Sequence, residues 1–260
     1  MAWWGKLIGG TLGFMMGGPL GAIIGTTLGH QVDASSTGMR SQPGDQERVQ
    51  LSFFAATFAV MGHIAKADGQ VSKQEIQMAT RLMDQMRLGE QQRQAAIELF
   101  DKGKNPDFPL NEVLHQFRYE CQRRTTVLRM FLEIQVQAAM ADGRLDPAEN
   151  SILLYVAEVL GFDRSEVEYL IDLVSGAAGR AANGVPRSIE QSYKILGASK
   201  DDSDATIKKT YRRLMSQHHP DKLIAKGVPE EMIQLATEKT REIRDAWEHV
   251  RDHRKNLVGN

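Results

Sequence analysis

The apolar and polar positions divide this 260-residue chain into three regimes. Residues 7 to 29 are 23 consecutive uncharged residues, mostly apolar or small, with no polar face at either the helical or the strand period. From about 46 to 175, apolar residues recur at helical spacing in long segments without strand alternation, which predicts an all-helical domain. Shorter amphipathic segments follow. "SIEQSYKILGA" predicts a helix ending at Gly197, and "DDSDATIKKTYRRLMSQHH" opens on an N-cap cluster and runs to Pro220. A third helix is expected from near Pro229. Ile207, Tyr211 and Leu214 share one face of the second helix, and Ile243, Trp247 and Val250 form a stripe on the third, so two antiparallel helices should enclose a small core. Polar or Gly/Ala-rich stretches separate the regimes. The expected fold class is all-α: an N-terminal membrane segment (1–30), a linker (31–45), an acidic helical domain (46–175), a flexible linker (176–188) and a helical-hairpin module (189–260).

Within the first regime glycine recurs every fourth residue, at Gly5, Gly9, Gly13, Gly17, Gly21, Gly25 and Gly29. Each glycine inside a helix in water costs roughly 1 kcal/mol relative to alanine, so this run demands another environment. A helix over 7–29 would be roughly 34 Å long against a hydrocarbon core of about 30 Å. Only Lys6 precedes the run and its exit "GHQVDASS" has no A-x-A-like cleavage site, so an uncleaved anchor is predicted rather than a signal peptide. Trp3 and Trp4 fit an interfacial belt, and the missing side chains open a groove in which a second copy of the helix can approach closely. The segment is thus expected to contact the lipid bilayer and to dimerise. Pro19 predicts a kink, because its ring crowds the carbonyl of Met15. Lys6 on one side and Arg40 and Arg48 on the other leave orientation undecided by flanking charge.

A net charge of −1 conceals an asymmetry: residues 46–175 carry 14 Lys/Arg and 19 Asp/Glu, whereas 184–260 carry 15 and 12. The C-terminal excess is too small to point to nucleic acid. Cys121 is the single cysteine, which excludes intrachain disulfides and cysteine-based zinc modules. His63 and His115 stand alone on helical segments, and Cys121 has no histidine partner in view, so all three are read as structural. With no phosphate-binding glycine loop, no metal-ligand cluster of full count and no nucleophile beside a base, no enzyme chemistry and no cofactor is expected.

Two segments of the acidic domain repeat each other: "AKADGQVSKQEI" (65–76) and "AAMADGRLDPAEN" (138–150). Asp68, Gly69, Val71 and Glu75, and likewise Asp142, Gly143, Leu145 and Glu149, follow the spacing of the second half of a calcium-binding EF loop. The first half is absent, because Ile64 and Lys66, or Ala138 and Met140, occupy the positions that need oxygen ligands. Turns and caps account for the same residues: Ser72 with Glu75 forms a capping box, and Asp146, Pro147 and Glu149 supply N-cap, N1 and N3. A shared cation site built from Asp68, Glu75, Asp142 and Glu149 stays open if the repeats face each other.

The densest candidate chemistry lies in the last module. Pro220 stops the second helix and makes His219 extended, which presents Asp221 at the tip of a hairpin beside Lys222. Lys208, Lys209, Arg212 and Arg213 line the exposed side of the preceding helix. A carboxylate beside a basic helix face is a docking surface, not a catalytic centre.

These residues carry resemblances. The paired helical hairpins with ADG turns resemble the tellurite-resistance TerB-like helical domain over about 130 residues. Tyr193 with Leu196-Gly197, Tyr211 to Leu214, His219-Pro220-Asp221-Lys222, and Ile243 with Ala246-Trp247 and Val250 resemble the J-domain of DnaJ-type co-chaperones in order and spacing. The resemblance implies that Lys208, Lys209, Arg212, Arg213 and Lys222 meet an acidic patch on a DnaK-type ATPase chaperone, and that Asp221 reaches an arginine there and biases the partner toward ATP hydrolysis. No Gly/Phe-rich segment or four-cysteine zinc repeat accompanies the module, which sets it apart from full DnaJ proteins, and Trp247 stands where that family usually has tyrosine. The three-part order resembles the membrane-anchored DnaJ-like co-chaperones of Gram-negative bacteria. That implies an inner-membrane protein with its bulk in the cytoplasm, dimerised through its anchor, acting in envelope and capsule signalling. A metal- or stress-sensing membrane scaffold whose C-terminal module only tethers a partner is the alternative.

Overall fold

The computed structural model describes residues 17–28, 44–122, 124–183, 188–226, 228 and 232–258, and among them there are helices and turns but no strand. The helices are α1 (Gly18–Leu28), α2 (Asp45–Ala65), α3 (Lys73–Gln85), α4 (Glu90–Gly103), α5 (Leu110–Cys121), α6 (Thr125–Ala139), α7 (Pro147–Leu160), α8 (Arg164–Asn183), α9 (Ile189–Leu196), α10 (Asp204–Gln217), α11 (Pro220–Ala225) and α12 (Ile233–Val258).

Helix α2 is the axis of the larger domain. Its sequence is apolar on every side, and an unbroken run from Val49 to Gly62 is buried, as expected of a helix surrounded by others. Helices α4, α5 and α6 enclose it. Phe53, Phe117 and Phe131, from α2, α5 and α6, meet at tilted or edge-on angles with ring centroids 4.7 to 6.4 Å apart. Along α4 the contact is closer than side chains allow: a Cβ on Gly103 would lie 2.8 Å from the carbonyl carbon of Ala59, and one on Gly62 would lie 2.8 Å from that of Phe100. Two facing glycines let the backbones of α2 and α4 touch, and His63 Nδ1 is 3.2 Å from the Gly103 carbonyl at the same crossing.

The two ADG segments turn as their spacing predicts. Gly69 and Gly143 sit at φ +94° and +86°, a region that favours glycine, and the Asp68 and Asp142 carboxylates accept the N–H of Gln70 and Arg144 at 2.8 Å. Capping boxes then open α3 (Ser72 with Glu75) and α7 (Asp146 with Glu149, Pro147 at the first turn).

Helix α1 lies on the larger domain against α4 and α5, with Leu20 and Ile24 buried. Gln116 binds its start, accepting from Leu20 N–H at 2.8 Å and donating to the Gly17 carbonyl at 2.9 Å, while Lys102 Nζ reaches the Ile23 carbonyl at 3.0 Å. Pro19 occupies the first turn, where its missing N–H is not needed, so it begins a helix instead of kinking one. No helix among the described residues is long and apolar enough to cross a membrane. Of the glycine series, Gly17, Gly21 and Gly25 are described, whereas Gly5, Gly9, Gly13 and Gly29 lie outside the described residues.

Helix α8 continues to Asn183, so the first eight residues of the expected 176–188 linker are helical. Its alanines are strong helix formers and outweigh Gly176 and Gly179. In the C-terminal module α9 and α10 pack on α12. Ile207, Ile243 and Val250 form the buried centre with Tyr193, Ile195 and Leu196, and Tyr211 stacks on Trp247 at 5.1 Å. Arg254 ties the ends together, donating to the Tyr193 hydroxyl, the Asp204 carboxylate and the Lys200 and Asp202 carbonyls.

Candidate functional site

The hairpin turn between α10 and α11 is built by local rules. Ser203 caps α10 by accepting the Thr206 N–H, and Ile207 fixes which face the helix buries. The remaining faces expose Lys208, Lys209, Arg212 and Arg213, none of which forms an ion pair with a described residue. Four uncompensated cations on one helix make a positive field that an acidic partner can neutralise. His218 ends α10. His219, preceding proline, is extended (φ −64°, ψ 125°), and its Nδ1 accepts the Asp221 N–H at 3.2 Å, which makes it the N-cap of α11. Pro220 sits at the first turn, where it fits. The imidazole thus spends its acceptor on shaping the turn, and the Asp221 carboxylate remains exposed without a hydrogen bond to a described residue. Lys222 Nζ donates to Ser216 Oγ at 2.6 Å, which ties the turn back to α10.

Of the eight residues expected at this surface, Lys208, Lys209, Arg212 and Arg213 lie on α10, His219 caps α11, and Pro220, Asp221 and Lys222 form the first turn of α11, a short helix in place of the loop the sequence suggests. This surface can bind an acidic protein face; it holds no nucleophile–base pair. Residue reasoning missed His218. It is 7% exposed, with Nε2 3.9 Å from Glu133 of α6, and burial keeps its pKa below the ordinary imidazole value, so it is neutral at pH 7. The doubled histidine at 218–219 was the available signal, but periodicity alone does not say that one of the pair faces another domain.

The ADG repeats do meet. Glu75 and Glu149 are both buried, each with one carboxylate oxygen accepting the N–H of its own helix cap, Ser72 at 2.7 Å and Asp146 at 3.0 Å. Glu75 Oε1 is buried with no hydrogen-bond partner among the described residues. Burial, and then a hydrogen bond to Glu75 and its negative charge, push the Glu149 carboxyl up to about 8, with Asp68 adding in the same direction. The Glu149 carboxyl is thereby held protonated near neutral pH, beside Glu75. Among the described residues no group of three or more His, Cys, Asp or Glu side chains is gathered so as to hold a metal ion, and Asp142 is engaged with the Arg144 N–H. Cys121 is fully buried and its pKa is raised by burial, and His63 is shifted down by burial while it contacts the Gly103 carbonyl.

Comparison with known proteins covers the chain in three parts. Residues 1–46 match the model of the co-chaperone DjlA transmembrane domain, residues 54–170 that of tellurite resistance protein TerB, and residues 191–257 that of the DnaJ domain. Proteins named co-chaperone protein DjlA are similar over nearly full length. That of Shewanella oneidensis is 44% identical over 98% of this chain and 99% of its own. That of Photorhabdus laumondii is 40% identical over 96% and 98%, and that of Escherichia coli O157:H7 is 39% identical over 98% and 99%. No solved structure matches the chain significantly.

Proposed function

Because the chain belongs to the DjlA family of J-domain co-chaperones, we propose that it recruits a DnaK-type ATPase to a membrane and stimulates its ATP hydrolysis. The observation that carries this reading is the exposed Asp221 carboxylate at the end of a helix with four uncompensated cations. Lys208, Lys209, Arg212, Arg213 and Lys222 give long-range attraction and register to an acidic partner surface, and Asp221 supplies a single short-range contact of opposite sign, suited to an arginine. ATP chemistry takes place in the partner. The N-terminal segment fixes the chain at the bilayer, and its four-residue glycine spacing suits dimerisation between copies. The bulk of the chain lies on the cytoplasmic side of a bacterial inner membrane, where a DnaK-type partner and ATP are available. A membrane tether joined to an ATPase-recruiting module fits a regulatory role in envelope and capsule signalling.

The test is single-turnover ATP hydrolysis by a bacterial DnaK with the full chain in detergent micelles, beside the His219→Gln and Asp221→Asn variants. Stimulation is expected from the wild type and is lost in both variants, with helical content unchanged because both side chains are exposed. Equal stimulation by Asp221→Asn would remove the docking argument.

A further inference from the structure

The apolar run over 7–29 is not one continuous helix in this structure. Gly17 and Gly18 stand at φ +60° and +64°, a conformation through which no right-handed helix passes, so α1 begins afresh at that point. Its 11 residues lie on the larger domain along α4 and α5. Leu20 and Ile24 are 0% and 2% exposed and Gly21 is buried between them, while Ala22 and Thr26 face outward.

This seat is shaped for the start of a helix as well as for two apolar side chains. The Gln116 side-chain amide accepts the Leu20 N–H at 2.8 Å, a group that the beginning of a helix leaves without a partner, and donates to the Gly17 carbonyl at 2.9 Å. A Cβ on Gly18 would stand 2.7 Å from Gln116 Oε1, so the bare glycine lets that amide close on the backbone. Lys102, near the end of α4, donates to the Ile23 carbonyl at 3.0 Å and to the Thr26 hydroxyl. Pro19 belongs to the same arrangement. At the first turn of α1 its missing N–H costs nothing, whereas in a helix continued from Met15 its ring would crowd that residue's carbonyl.

The seat and a bilayer make incompatible demands on these residues. Crossing a hydrocarbon core of about 30 Å takes roughly 20 helical residues, and the ten of the run that precede Gly17 would cover only about 15 Å. A helix that crosses must therefore recruit residues 18–28, which cannot then lie on α4 and α5. We propose that α1 is a strap with two seats: it docks on α4 and α5 until the chain meets a bilayer, then leaves them to complete the membrane-crossing helix, with Gly17 and Gly18 as the hinge. The bilayer takes up Leu20 and Ile24 as readily as the domain does, and in a continuous helix the Leu20 N–H bonds the Met16 carbonyl instead of Gln116. Gln116 and Lys102 thus set how firmly the anchor is held back. The second seat rests on the membrane-anchor reading; the first does not.

The experiment uses the full chain, synthesised cell-free without lipid, with spin labels at Ala22→Cys and Glu112→Cys, both exposed positions, Cys121 being too buried to label. One narrow distribution of short distances is expected. Adding vesicles of phosphatidylethanolamine and phosphatidylglycerol should replace it with longer distances as the chain floats with the lipid. Gln116→Ala and Lys102→Met alter the domain and not the inserting segment, so each should speed that replacement with the helical circular dichroism unchanged. The gain should be about five-fold or more for Gln116→Ala, which removes two hydrogen bonds. Gln116→Glu keeps the acceptor for Leu20 and loses the donor to Gly17, and should fall between. A short distance kept by chain that floats with vesicles overturns the exchange, and its absence before lipid is added overturns the first seat. Rates equal to the wild type in all three variants overturn the holding role of Gln116 and Lys102. A chain that fails to float removes the membrane-anchor reading and the second seat with it, while the short distance still reports the first.

Discussion

Replacing Gly103 by alanine adds one methyl group to a 260-residue chain, at a place where only backbone atoms can receive it. The new Cβ would stand 2.8 Å from the carbonyl carbon of Ala59, closer still to its oxygen, and 3.1 Å from the His63 nitrogen. Those atoms belong to the hydrogen-bond ladder of α2 and cannot rotate aside. Carbon atoms pack at about 3.5 Å or more, so α2 and α4 must part by roughly 0.7 Å, and by more at the oxygen. A gap of that size forfeits between about a quarter and a half of the dispersion contact across the most heavily packed helix pair of the domain. Set against up to about 1 kcal/mol gained in helix propensity, the net loss is on the order of 3 kcal/mol. The assay is urea unfolding followed by circular dichroism, with Gly69→Ala as the comparison. Gly69 has open space around it and positive φ, so its alanine variant should lose only about 1 kcal/mol, from backbone strain. A Gly103→Ala midpoint within 1 kcal/mol of the wild type would mean that the glycines do not set the helix separation.

Three further outcomes follow from the same geometry. Glu149 holds its proton to about pH 8 when folded but only to about 4.5 when unfolded, so stability should fall as pH rises through that window. Glu149→Gln keeps a side-chain amide at the capping position, and should flatten the decline in Tm between pH 5 and 8.5, read by thermal circular dichroism; an equal decline in the variant would refute a raised Glu149 pKa. Arg254→Ala removes four hydrogen bonds that close the ends of the C-terminal module, and should lower its unfolding midpoint by about 2 kcal/mol, read by Trp247 fluorescence in urea. Replacing Gly9 and Gly13, which precede α1 in the sequence, by leucine should weaken self-association in detergent, measured by analytical ultracentrifugation, because the close-approach groove is filled.

Helix identity was legible wherever one helix determined it. The capping boxes at Ser72 and Asp146, the stop at Pro220 and the buried stripe Ile243, Trp247 and Val250 all depend on residues within a few positions of one another, and the structure places each where its spacing predicts. Pro19 was ambiguous on local grounds, since proline both kinks a helix and begins one; the contact of Leu20 and Gly17 with Gln116, nearly a hundred residues away, accompanies the second outcome. Gly62 and Gly103 illustrate the same limit. Each looks like a minor defect in its own helix, and only the crossing of α2 over α4 turns the pair into a requirement.

The functional surface divides along the same line. The turn from His219 to Asp221 and the basic face of α10 are sequence-local, so a single helix period and one proline were enough to assemble them. What lies behind that turn is not local: Glu133 and His218 are 85 positions apart, and Lys239 comes from a third helix. In sequence each is an ordinary charged residue on an amphipathic helix. His218 is nonetheless buried, where charge patterning alone would have left it to solvent. The apolar side chains Leu223, Val228, Met232 and Ala236 join the core of the larger domain, and Lys226 donates to Thr126, contacts that no local spacing announces. For a surface proposed to meet its partner through one carboxylate and a row of cations, the packing of α11 on the larger domain sets the direction in which that surface faces.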